Sequence, residues 1–129
     1  MFKQASTIQD NGTLVVPAMS HYVCRTLVNV QYPDWINPRY RHIPWQQSEH
    51  QSSLIRQLNQ GLSQARNREE LLIKLKAYLS RLFSVEFLHS PEYKVLIAKL
   101  EQLTDPNVAA LFAHYPLVDH SSSQLLLNG

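Results

Sequence analysis

The stretch Tyr32-Pro33-Asp34-Trp35-Ile36-Asn37-Pro38-Arg39-Tyr40-Arg41-His42-Ile43-Pro44-Trp45 holds the densest set of side chains able to bind something. Its arginines and aromatic rings suit two kinds of partner. Guanidinium groups hold phosphates while aromatic faces stack on the bases of single-stranded nucleic acid. Trp, Tyr and Arg are also the usual energetic anchors of protein interfaces. Two arginines, Arg39 and Arg41, are few for tracking a phosphate chain. That favours a protein partner held by Trp35, Arg39, Tyr40, Arg41 and Trp45. A reading with no partner is that Trp35, Ile36 and Trp45 plug the open face of a helical bundle while the prolines stiffen a crossing loop.

Catalytic chemistry finds less support. The histidine pairs His42 with His50, and His114 with His120 beside Asp119, lack the i, i+4 spacing that places two ligands on one helix face. Glu49-His50 does not extend into the two-histidine metalloprotease pattern, so these histidines read as surface or capping residues. No serine sits in a glycine-flanked nucleophile elbow. Cys24 has apolar neighbours that raise a thiol's pKa, and it reads as packing. Glu69-Glu70 falls in a helix's first turn, where acidic residues complement the dipole. A small enzyme using His42, Glu49 and His50 is the remaining catalytic alternative, with no reaction defined. No metal site and no cofactor are expected.

Composition sets further bounds. The three glycines, Gly12, Gly61 and Gly129, cannot compose a phosphate loop or a dinucleotide fingerprint. One cysteine excludes an internal disulfide and any zinc site built on several thiolates, and it suits a reducing compartment. The net charge of +2 is too small to impose nucleic-acid or membrane binding. It is unevenly spread, with six basic against three acidic residues in 1–66 and six against seven thereafter. The start MFKQASTIQDNG lacks a signal peptide's apolar stretch, and no run approaches the roughly 20 apolar residues of a membrane span. A cytoplasmic protein is expected.

The elements that must position these residues change character near Ser48, since four of the seven prolines precede it. Asn11-Gly12 signals a turn, and Thr13 to Val16 a short strand stopped by Pro17. Residues 21–32 fit both periods. Tyr22, Cys24, Thr26, Val28 and Val30 share a strand face, while Met19, Tyr22, Val23, Thr26, Leu27 and Val30 share a helix face. Their β-branched content favours the strand.

Beyond Ser48 the pattern is helical. Ser48 and Gln51 propose a capping box ahead of a stripe of Leu54, Ile55, Leu58, Leu62 and Ala65. Asn67 caps a second helix carrying Leu71, Leu72, Leu75, Tyr78, Leu79, Leu82 and Phe83. Ser90-Pro91 and Asp105-Pro106 start two more, with proline at the first helical position. The expected fold is mainly α, three to four helices in a bundle, with a short β-containing N-terminal segment; α+β is the alternative. A single domain over 1–129 would set a β/loop part, 1–47, on a helical part, 48–116, leaving a mobile tail at 119–129.

The helix after Ser48 has an unusual outer face of Ser52, Ser53, Arg56, Gln57, Gln60, Ser63 and Gln64, with one central charge. Burying neutral amides against a partner costs less desolvation than burying Lys or Glu. The face therefore reads either as a plainly solvated surface or as an interface through Arg56, Gln57, Gln60 and Gln64. Ile73 and Val95 leave the apolar arcs of their helices and suggest a second packed layer or an oligomer contact. The leading expectation is a protein-interaction module, an adaptor, regulatory or assembly factor, that binds a protein partner or itself. A single-stranded nucleic-acid-associated regulator is the alternative.

Overall fold

A computed structural model describes residues 2–114, and the side chains of residues 14–112. The elements in order are α1 (Phe2–Val28), two single 3-10 turns (Pro33–Trp35 and Pro38–Tyr40), α2 (Ser48–Leu62), α3 (Arg68–Leu82), α4 (Val85–Leu88), α5 (Pro91–Leu103) and α6 (Pro106–His114). The protein is mainly helical, as its sequence pattern indicates. The expectations for 119–129, and for a grouping of His114 with Asp119 and His120, fall outside the described residues.

The expected N-terminal β segment is replaced by helix. Thr13 to Val16 and residues 21–28 belong to α1, and among the described residues the only extended pairing is an isolated antiparallel bridge between Ile36 and Phe83. Burial decides between the two periods. Met19, Val23 and Leu27, spaced four apart, are fully buried, with Val15 and Ala18 beside them. A strand would also put Met19, Val23 and Leu27 on one face, but it would turn Ala18 and Cys24, which are buried as well, to the opposite one, and among the described residues no neighbouring strand offers backbone partners. Pro17 lies inside α1 rather than ending a strand. It leaves one carbonyl a turn earlier without its usual donor. Arg25 O accepts from both the backbone and the side-chain nitrogen of Asn29, closing the helix's C-terminus.

Most local signals downstream act as their chemistry requires. Asn67 Oδ1 accepts from Glu70 N at 2.8 Å, and Glu70 Oε1 reaches back to Arg66 N at 2.7 Å. Ser90 Oγ accepts from Tyr93 N, and Asp105 Oδ1 from Asn107 N, each ahead of a proline-started helix. The capping box at Ser48 does not form: Gln47 occupies the cap position without a side-chain bond. Gln51 instead turns its amide to Trp45 O at 2.8 Å, because the preceding loop folds close over the helix start.

The buried side chains form one cluster drawn from α1 to α6 and the loop before α2. Helix α1 packs against α6, α2 and α5, and α2 packs against α3. Tyr22 meets Phe112 edge-on at 6.1 Å between centroids, tying α1 to α6. Leu54, Leu58 and Leu62 of α2 and Leu71, Leu75, Leu79 and Leu82 of α3 turn inward, so each helix has an opposite face free for other work.

Candidate interaction groove

Two stripes face one another across α2 and α3. On α2 and just past its end they are Gln57, Gln60, Gly61 and Gln64, and on α3 Lys74, Ala77, Tyr78 and Arg81, each set spaced i, i+3, i+4, i+7. Between them lies an open cleft of about 520 Å³. Gly61 serves by its size, since its φ is negative like that of any helical residue. A Cβ there would lie 2.7 Å from Tyr78 Cζ. The phenol ring can therefore lie against the α2 backbone.

A second cavity of about 210 Å³ adjoins the first and shares Gln57, Tyr78 and Arg81 with it. Its other walls are mostly apolar, with Tyr40, Ile43, Trp45, Leu54, Leu58 and Leu82, while His50 and Ser53 stand at its edge. The two cavities make one groove, amide-rich and cationic at one end and apolar at the other. No aspartate or glutamate lines either part. Arg81 lies 5.7 Å from the Tyr78 ring centroid, and neither Arg81 nor Lys74 forms an ion pair with a described residue. Glu70, one turn before Lys74 on α3, accepts from Arg66 N at 2.7 Å, and Glu49 on α2 is 3.7 Å from His50 Nε2.

The loop from Tyr32 to Trp45 is a brace as much as a surface. Trp45 is only 8% exposed, and its indole N–H donates to Tyr40 O at 3.1 Å. Half-buried Trp35 lies 5.1 Å from the Phe87 ring, with Tyr32 edge-on behind it. Arg41 folds back so that Nε donates to Ile36 O at 2.9 Å and Nη2 to Asp34 O at 3.3 Å. Two backbone bonds, Asn37 N to Leu82 O and Ser84 N to Trp35 O, stitch the loop to the α3–α4 junction. Arg39 is exposed, and its backbone N–H caps onto Asn37 Oδ1.

The nine residues singled out by sequence are thus sorted by the fold. Gln57, Gln60 and Gln64 line the cationic cleft, Tyr40 and Trp45 wall its apolar neighbour, and Arg56 is exposed outside both. Trp35, Arg39 and Arg41 lie outside the groove. Lys74, Tyr78 and Arg81 were not anticipated as site residues. Gly61 lies in the last turn of α2, where a glycine by itself signals only a helix end, so no local sequence signal marks these three residues.

Cys24 is buried, with Sγ 3.9 Å from Gln51 O, and burial pushes its thiol pKa up to about 11. Among the described residues no three His, Cys, Asp or Glu side chains converge as a metal site would need, and no helix is long and apolar enough to cross a membrane. The fold and groove define a helical domain with one mixed apolar and cationic surface channel. No protein-family model matches the chain, and no match was found among curated proteins or solved structures.

Proposed function

We propose that the protein is a protein-interaction module that uses the α2–α3 face to hold a partner. The observation that carries this reading is the groove itself. Three neutral glutamines and two unpaired cations surround a floor opened by Gly61 and Ala77, next to an apolar cavity. Amides offer both donors and acceptors to a partner's backbone, and they desolvate at lower cost than charges. The loop residues support the groove from behind: Trp45 and Tyr40 form its apolar wall, and Arg41 holds the two 3-10 turns in register.

The nucleic-acid alternative has less to work with. Stacking on bases needs open ring faces, whereas Trp45 is buried and Trp35 is packed against Phe87. The guanidinium of Arg41 is already engaged with two carbonyls of its own loop.

A photo-crosslinking amino acid placed at Gln60, and separately at exposed Lys76 on the other side of α3, tests the reading in the source cell. Protein adducts specific to position 60 are expected, with a light-scattering mass separating a foreign partner from self-association. Equal adducts at both positions, or none at position 60, would overturn it.

A further inference from the structure

Resting on the interaction-module reading, we infer that the groove takes an extended acidic segment of a partner protein, whose apolar side chain enters the cavity beside Ile43 and Trp45 while its carboxylates face Lys74 and Arg81. Charge is the first argument. Both cations face the groove without an anionic partner among the described residues, and no carboxylate lines either cavity, so the channel presents one sign of charge to a ligand. A basic or neutral segment would leave that charge uncompensated.

The second argument is shape and polarity. From Ser53 in α2 to Gln64, two residues past its end, the chain rises about 16 Å at about 1.5 Å per residue. An extended chain at about 3.3 Å per residue covers that span with about five residues. Gln57, Gln60 and Gln64 stand along it about 4.5 and 6 Å apart, near the roughly 6.6 Å between the alternate amide groups that face one side of such a chain. At its end the 210 Å³ cavity, walled by Ile43, Leu54 and Leu82, has room for one aliphatic or aromatic side chain. A nucleobase seated there would bury its polar edges against apolar carbon, at a cost of about 1–3 kcal/mol per unpaired group. That disfavours a nucleic acid as the occupant despite its negative charge.

The experiment is fluorescence anisotropy with the purified chain and a fluorescein-labelled eight-residue peptide of glutamates surrounding one Leu-Phe pair. Companion probes replace every Glu by Gln, or Leu-Phe by Ser-Ser, and a twelve-nucleotide oligothymidylate serves as the nucleic-acid probe. Binding of the acidic apolar peptide is expected, weakening about ten-fold for either substituted peptide and on raising salt from 50 to 300 mM. The double variant Lys74→Gln/Arg81→Gln should bind about ten-fold more weakly while keeping its circular dichroism and melting temperature. The inference is overturned if no binding is seen up to 1 mM peptide, if the Gln peptide or the double variant binds equally well, or if the oligonucleotide binds more tightly. In any of those cases, adducts specific to position 60 would still uphold the module reading, and their absence would remove both.

Discussion

Replacing Trp45 by alanine tests whether the loop before α2 is part of the core. The ring is 8% exposed, so its truncation removes roughly 150–200 Å² of buried apolar surface. At about 25 cal/mol per Å² this is worth about 4–5 kcal/mol, and Trp-to-Ala changes in cores cost about 3–5 kcal/mol. A chain of this size has about 5–15 kcal/mol of stability in all. With a urea m-value of about 2 kcal/mol per M, the midpoint should fall by about 1.5–2.5 M. Trp45→Phe is the informative control. It keeps an aromatic ring but loses the indole N–H bond to Tyr40 O, a carbonyl that still accepts from Ile43 N at 3.2 Å. Its expected cost is therefore only about 1–2 kcal/mol. Equilibrium urea denaturation followed by far-ultraviolet circular dichroism measures both. A Trp45→Ala variant within about 1 kcal/mol of the natural protein would refute the placement of this ring in the core.

Three further outcomes are expected. Gly61→Ala should gain about 0.5–1 kcal/mol of helix propensity only when Tyr78 is also cut back to leucine; with Tyr78 present the gain is lost to the collision, and thermal melts of the four variants measure the coupling. Asn67→Ala should destabilise by about 1 kcal/mol through loss of the α3 cap, read as a lowered denaturation midpoint. Because folding raises the Cys24 pKa from 9.0 to about 11, the folded state holds the thiol proton over that interval while the unfolded state releases it. Stability from this group is complete below pH 9 and falls as pH rises towards 11, so the stability difference between the natural protein and Cys24→Ala should narrow across that window.

What was legible in the sequence follows from the range of the interaction. Asn67, Ser90 and Asp105 cap helices because each oxygen reaches an amide only two or three residues away, a geometry that composition alone specifies. The inward leucines of α2 and α3 follow from period 3.6. Residues 13–16 and 21–28 form helix α1 in place of the expected strand segment because Asn11-Gly12, Pro17 and the β-branched residues are local signals for turn and strand, whereas the outcome rests on burial of Met19, Val23 and Leu27 against other helices. The groove was half visible. The amide stripe on α2 could be read directly, but pairing it with Lys74, Tyr78 and Arg81 depends on the register that Gly61 permits between two helices.

The bridge between Ile36 and Phe83 has a consequence for the order of assembly. It joins residues far apart in the chain, whereas α2 and α3 are linked by the five residues 63–67. With loop-closure entropy growing as about (3/2)RT ln n, the longer closure costs about 2 kcal/mol more. Helices α2 and α3 can therefore pair early in folding, and the proline-rich loop is fastened across them afterwards. The polar half of the groove then exists before its apolar half, which is completed only when Trp45 and Tyr40 are seated. A nascent chain would pass through a stage able to attract an acidic segment but unable to anchor one.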